Sequence, residues 1–451
     1  MPHPARVLPL LAIWLLPVFG ADSAPPPRGA GGRQGASAAV ASDWIDKLTG
    51  HRVIRLSPDT GGSSLYFHQR SYTPGGDKVV IRGAGGIGVV DISQLGQTPP
   101  KFDLVLENAA PIATAWRTRE AYYIDRATSA LMAVHLDTKA TRTVVTLPPQ
   151  ARGGQFAINC DESLLVGIGP DPDGKTTPRL PPSGVLAPPR PGSLEPQWAA
   201  GTPKMIYTVN TRTGEFKVIH RENDWTNHLQ CSPTDPQQIL FCHEGPWHYN
   251  DRTWTIRADG GPARLLHERT MNMEIEGHEF FGQDGKHVWF DLQTPMSGVF
   301  WLAGVELATG KRTWYNLQRV EWSVHFNVSL DGKLFCGDGG GPTSVAARTM
   351  DREDIQGQGQ WIYLFRPVMT AGSSFRDKKD LIDVGYFKSE RLVDMSNHNY
   401  SKETGVEPNL SFTPDGKWII FSGNFHSNPG PGRRATTHTY AVEVAKAEKK
   451  S

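Results

Sequence analysis

The chain has 451 residues, with 47 Lys and Arg against 46 Asp and Glu, for a formal net charge of +1. That balance, without any polybasic run, excludes a nucleic-acid groove and a membrane-surface patch. Its 47 Gly and 35 Pro break too many turns for a long helical bundle and suit short strands joined by tight turns.

In chain order, Arg6 precedes the apolar run VLPLLAIWLLPVFG (7–20), and small residues follow through Ala24. This is the layout of a secretory signal, and the run is shorter than the roughly 20 residues of a membrane span. An uncleaved anchor is the alternative. PPPRGAGGRQGASAAV (25–40) then reads as a tether. The expected division is a signal peptide (1–23), a flexible linker (24–42) and one folded domain (43–446). No later stretch reaches membrane length, so the mature chain is expected to be periplasmic or secreted, with no membrane partner. The four cysteines (160, 231, 242, 336) are too sparse to define a disulfide framework; Cys231 and Cys242 either pair across a hairpin or are free thiols.

The folded part repeats a strand–turn–strand phrase. Clear copies are EFFGQDGKHVWFDL (279–292), FNVSLDGKLFCGDG (326–339) and LSFTPDGKWIIFSG (410–423). Looser ones begin at residues 71, 156 and 229, and the weakest unit spans 118–147. A second hairpin phrase, such as MIYTVNTRTGEFKVIH (205–220), follows most copies. Two hairpins make a four-stranded blade, and the units count to seven. The last unit ends at THTYAVEV (437–444) without a fourth strand, while HRVIRLS (51–57) is a strand without a unit. The fold expected is therefore all-β, a seven-bladed β-propeller with its ring closed by an N-terminal strand. A closed ring does not require a second copy.

Function is expected where the long loops collect, on the face that carries 170–203, 242–254, 337–360 and 422–438. Reading back six residues from the turn Asp gives His278, His325, Asn409 and Gln155, and His228 stands seven before Asp235. Equivalent positions in successive blades converge on the axis. Imidazole, carboxamide and carboxylate donors together suit a borderline divalent metal such as Mn²⁺ or Zn²⁺; a polar channel without metal is the other reading. His398 and Glu407, which lead into the last blade, either complete the coordination sphere or cap the long connection.

At these residues the sequence resembles the oligogalacturonate lyase family, from about residue 50 to 445. The resemblance is densest in NHLQCSP (227–233), FCHEGPW (241–247), DRTW (251–254), HEFF (278–281), LFCGDGG (334–340) and EPNLSFTPDGKWIIFSGN (407–424). It implies a seven-bladed propeller that cleaves short pectic oligosaccharides by metal-dependent β-elimination, with Mn²⁺ as the expected metal and an acidic oligosaccharide as the partner. In the family three His and a Gln hold the metal. His278 matches the first His directly. Glu407-Pro408-Asn409 stands where the family has His-Pro-His, and His398 is the substitute for the upstream Gln, so the implied metal set is His278, His398, Glu407 and Asn409.

His243 falls at the family's catalytic base. Removal of the proton beside a uronate carboxylate creates an enolate-like dianion, which needs a base with a pKa near working pH and a cation on the carboxylate. Arg252 or Arg221 is a candidate carboxylate clamp, and Arg252 is alternatively a plain ion pair. His228, Gln230, Trp247 and His325 complete the expected substrate-binding set. Lyase action on another acidic glycan, or a non-catalytic carbohydrate-binding propeller, are the alternatives. The joint presence of His243 and His278 argues against the second.

Overall fold

The computed structural model describes residues 42–447, apart from 94, 98–99, 152–153, 181–193, 342–343, 347–359, 371–380, 401–405 and 425–434. The expected signal peptide, all of the linker but its last residue, and parts of three long loops lie outside the described residues.

Strands β1 (Asp43–Ile45) and β2 (His51–Arg55) lead into β3 (Gly62–Ser63), β4 (Lys78–Gly83), β5 (Gly86–Asp91) and β6 (Phe102–Glu107). There follow β7 (Pro111–Thr114), β8 (Glu120–Asp125), β9 (Ala130–His135) and β10 (Thr141–Thr146), then β11 (Gln155–Ile158), β12 (Leu164–Pro170), β13 (Lys204–Asn210) and β14 (Phe216–Glu222). Next come β15 (Trp225–Cys231), β16 (Gln238–Glu244), β17 (Thr253–Arg257) and β18 (Arg264–Leu265), and then β19 (Ile275–Phe281), β20 (His287–Gln293), β21 (Phe300–Glu306) and β22 (Arg312–Leu317). The chain ends with β23 (Phe326–Val328), β24 (Phe335–Gly337), β25 (Trp361–Met369) and β26 (Ile382–Asp394), then β27 (Ser411–Phe412), β28 (Trp418–Gly423) and β29 (His438–Lys446). One short helix, α1 (Glu195–Ala199), interrupts the loop before β13.

Each consecutive set of four from β3 to β18 is an antiparallel sheet. The sets β19–β22 and β23–β26 join into one eight-stranded sheet, because β26 continues past its hairpin and runs parallel to β22. In the last sheet the order is β1-β2-β29-β28-β27, so β2, from the start of the domain, pairs with β29 at its end. The architecture is all-β and propeller-like.

Burial follows position within each sheet. Middle strands are covered on both faces, so they read as near-continuous apolar runs: WIIFSG in β28 is buried throughout. The outer strand β10 (TRTVVT) is mostly exposed. Core clusters lie between sheets. One joins Val79, Ile81 and Val90 of the first sheet to Trp418, Ile420 and Ala441 of the last. The repeated Asp-Gly-Lys turns share one device. The Asp carboxylate accepts the Lys amide at 286, 333 and 417, while Gly285, Gly332 and Gly416 take the left-handed φ of 65°, 71° and 70°. All four cysteines are free. No helix among the described residues is long and apolar enough to cross a membrane.

Candidate active site

Neighbouring sheets touch through their first strands, and two of these strands are distorted where they carry histidine. The register of β15 slips between Asn227 and Gln230, with His228 at φ 49°. That of β19 slips between Glu276 and Glu279, across Gly277-His278. In the first sheet β3 is only two residues long, and pairing resumes as a single bridge, Tyr72 with Val79. The excursion between them holds Tyr66, Phe67 and His68. Bulges of this kind re-aim side chains.

Two aspartates fix the backbone at the key positions. Asp291 Oδ1 accepts the His278 amide at 2.8 Å, and Asp338 Oδ1 accepts the His325 amide at 2.8 Å. Each Asp stands thirteen residues after its His. The preceding Gly277 is required, because a Cβ there would lie 1.9 Å from Asp291 Oδ1.

These distortions gather four imidazoles. Ring centres of His278 and His325 are 4.6 Å apart at a steep angle, while His228 and His278 stack at 5.2 Å. His68 lies 5.9 Å from His228, and Tyr66 is within 5.3 Å of both His68 and His325. Burial, and then the neighbouring imidazoles, hold His68 and His278 well below the usual histidine range. Both are neutral, with a lone pair to give. For His325 burial pulls downward, but Asp338 outweighs it: His325 Nδ1 is 2.7 Å from Asp338 Oδ2. Its Nε2 is buried without a hydrogen-bond partner, 3.7 Å from Glu407 Oε2. Asn409 Oδ1 is likewise buried and unpartnered, while its Nδ2 donates to the Glu407 carbonyl. A ring nitrogen and a carboxamide oxygen buried without partners, beside a carboxylate and two neutral imidazoles, are what a cation satisfies, so the residues fit a divalent metal.

Next to this cluster Arg252 is 2 % exposed. Its Nε donates to Glu279 Oε2 at 3.0 Å, and Nη1 and Nη2 donate to the two oxygens of Glu244 at 3.0 and 3.2 Å. Glu279 Oε1 is 3.0 Å from His228 Nδ1. Burial pushes the Glu244 carboxyl up, yet Arg252 and His228 bring it down to about 2. Arg252 thus already answers two carboxylates, which favours the ion-pair reading over the substrate clamp. His228, Cys242 and Glu244 place ligand-type atoms within 4.8 Å of one another. Burial raises the Cys242 thiol far above its ordinary value, and the Arg252 guanidinium already supplies a positive charge to Glu244.

His243 points to the opposite face of β16 from Cys242 and Glu244, as strand alternation requires. Its Nε2 is 3.0 Å from Glu222 Oε2 and its Nδ1 3.7 Å from Asp224 Oδ1. Glu222 also receives His220 Nε2 at 2.8 Å and the Thr226 hydroxyl. Burial opposes its ionisation, but these donors prevail and hold it well below the carboxylate range. Beside it a cavity of about 320 Å³ is lined by Asp171, Asp173, Gly174, Pro203, Arg221 and Glu222, among others. Arg221 pairs there with Asp171 and, at 3.2 Å, with Asp173.

A further buried group gives a stability test. Glu276, next to the β19 bulge, is pushed up by burial from 4.5 to about 7. Folded protein keeps this proton where unfolded chain has lost it. The stabilisation from the neutral carboxyl is complete below 4.5 and disappears as pH rises through about 7. Urea unfolding at about pH 5 and about pH 8 should show a fall of up to roughly 3 kcal/mol from this group. Glu276→Gln should flatten it and be the more stable protein at the higher pH.

With this geometry in place, likeness to known proteins is informative. The sequence profile described as oligogalacturonate lyase matches residues 198–432, just over half of the chain. The chain belongs to the oligogalacturonate lyase family. It is therefore a lyase. It is 24% identical over 397 residues to the oligogalacturonate lyase of Dickeya dadantii, covering 86% of this chain and 93% of that one. The oligogalacturonide lyase of Pectobacterium atrosepticum matches at 24% over 403 residues, with the same shares. Two solved structures share the fold. An oligogalacturonate lyase in complex with manganese superposes with a TM-score of 0.65 at 22% identity, over 90% of this chain and 96% of that one. An oligogalacturonate lyase from Vibrio parahaemolyticus gives 0.67 at 21%, with the same coverage.

Against the family expectation, the structure brings His278, His228, His325, Glu407 and Asn409 into one neighbourhood. His398 has a different engagement. Its Nε2 faces the Val406 carbonyl at 2.7 Å, its Nδ1 accepts the Asn424 amide at 3.3 Å, and burial lowers it to about 4. That leaves no lone pair for a metal, which corrects its place in the expected ligand set. Gln230 donates to the Glu279 carbonyl at 2.8 Å inside the core, so its amide nitrogen is already committed. Gln155 bonds to the Leu229 amide and the Asn227 side chain. Trp247 is partly exposed, with its carbonyl held by Arg269.

Sequence reasoning missed His68, Glu222, Glu244, Glu279 and Asp338. The thirteen-residue His-to-Asp spacing, repeated in His278/Asp291 and His325/Asp338, was the readable signal for Asp338.

Proposed function

We propose that this protein is an exported, metal-dependent lyase that cleaves uronate-containing oligosaccharides, oligogalacturonate foremost, by β-elimination. The observation that carries the reading is the buried histidine cluster, in which His325 Nε2 has no hydrogen-bond partner. The scaffold is a seven-bladed propeller: six sheets, one of them a fused pair of four-stranded units, with β2 completing the last blade and closing the ring. The β2–β29 pairing and the core shared by first and last sheets support this. Arg6, the apolar run 7–20 and the small residues through Ala24 support export.

His278, with His325, His68 and the Glu407 carboxylate, would hold the metal. When bound, a divalent cation, Mn²⁺ by preference, neutralises the uronate carboxylate and stabilises charge at the adjacent carbon. The manganese-bound relative supports that preference. His243 removes the C5 proton, the C4–O bond breaks as the C4–C5 double bond forms, and the leaving oxygen takes a proton from the imidazolium or from water. Glu222, ionised and hydrogen-bonded to His243, fixes the ring and stabilises the imidazolium that forms. Arg252 acts as a positioning residue that holds Glu244, Glu279 and His228 in place. Arg221, 45 % exposed at the cavity edge, is the better carboxylate clamp, though it must exchange Asp171 for the substrate. Trp247 offers a flat face to a sugar ring.

The test is ultraviolet absorbance of the conjugated C4–C5 alkene, with digalacturonate and trigalacturonate, after chelation and after Mn²⁺ is restored. A metal-dependent rise is expected. A rise only with other uronate glycans would change the substrate, and silence across all of them would remove the lyase reading.

A further inference from the structure

The family implies a metal but does not say which atoms of this chain bind it. His325 is fully buried, and so is Asp338. Asp338 meets it twice, accepting the backbone amide on Oδ1 and facing Nδ1 with Oδ2. A carboxylate at 2.7 Å from Nδ1 keeps a proton on that nitrogen, so in the neutral ring the lone pair is on Nε2. This carboxylate–imidazole arrangement is the usual support behind a metal-bound histidine. The free Nε2 has no hydrogen-bond donor and stands 3.7 Å from Glu407 Oε2, too far for a hydrogen bond and near enough for one cation to touch both.

Ring spacing agrees. With metal–nitrogen bonds of about 2.0–2.1 Å, two imidazoles sharing one cation stand roughly 4.5–5.2 Å apart, centre to centre. His278 and His325 are at 4.6 Å and steeply inclined, so their edges can converge. His228 and His278 are stacked almost parallel, and both His228 nitrogens are engaged, Nδ1 by Glu279 and Arg252 and Nε2 by Tyr66. His228 is therefore excluded despite its proximity.

We infer that His325 is a metal ligand of this chain through Nε2, beside His278 and Glu407, and that Asp338 is the positioning residue that sets its tautomer. This rests on the metal-dependent reading above. It also accounts for the last-blade phrase, where two family histidines are absent: one imidazole comes from the preceding repeat. In Asp338→Asn the carboxamide must either lose the backbone amide or present N–H to Nδ1. The second choice moves the ring proton onto Nε2, where the metal lone pair should be.

The test uses the full-length protein, stripped by chelation and titrated with Mn²⁺ in a calorimeter, with pulsed electron paramagnetic resonance to count bound imidazole nitrogens. His325→Asn keeps a donor for Asp338 but removes Nε2. It should lose one nitrogen coupling and weaken binding by at least about 10–100-fold, with the metal-free melting temperature close to wild type. Asp338→Asn should weaken binding by about 10–100-fold, and Asp338→Glu should restore part of it. If wild type binds Mn²⁺ and His278→Ala abolishes binding, but His325→Asn keeps affinity and all couplings, the inference falls while the metal reading stands. If wild type binds no divalent metal, the reading beneath it falls instead.

Discussion

Arg252→Ala should destabilise the protein by about 3–5 kcal/mol, the largest stability effect expected of any single change at the site. The guanidinium is 2 % exposed and carries the compensation for Glu244 and Glu279, one of them fully buried. Its removal leaves two carboxylates in low dielectric, facing each other across an empty volume. Lysine would restore charge but not the fork that reaches both acids, so Arg252→Lys should recover only part of the loss. The triple change Arg252→Met, Glu244→Gln, Glu279→Gln removes the charges together and should recover most of it. Urea unfolding of the three proteins separates these outcomes. A near-neutral Arg252→Ala would show that the cluster is wetter than its burial implies.

The second large effect is catalytic. His243→Ala should lower kcat by about 10²–10⁴-fold, the range for loss of a positioned general base. Mn²⁺ affinity should be unchanged, because His243 lies across β16 from the side that faces the histidine cluster. His278→Ala should do the reverse, losing metal first with activity falling in step. Calorimetry and the alkene assay on both variants separate base from ligand. Full activity in His243→Ala would move the base elsewhere, and Glu222→Gln would then be silent too.

Much of the scaffold was legible because its turns are chemically encoded. Asp-Gly-Lys marks the same left-handed glycine in three repeats, so alignment on it led directly to His278, His325 and Asn409. His68 escaped because the first sheet breaks that rule: its opening strand stops at Ser63 and does not pair again until Tyr72. A histidine carried on an excursion has no repeat position to be aligned with. Arg252 was visible as a residue but not as a role. Its two acidic partners come from different strands, Glu244 from β16 and Glu279 from β19, and only the bulged register of β19 brings them to one guanidinium. His398 failed as a ligand for a local reason: two backbone groups already occupy its ring nitrogens. The opposite faces of β16 likewise explain why adjacent residues, His243 and Glu244, serve separate clusters.

The pairing of β2 with β29 also sets a timetable. His51 lies opposite Lys446, so β2, which finds β1 at once, has no partner on its other edge until β29 has been made. During synthesis the early sheets can assemble in sequence, but the ends must wait and then find each other across the longest separation available, which is the slow kind of contact. Losing β2 or losing β29 damages the same sheet.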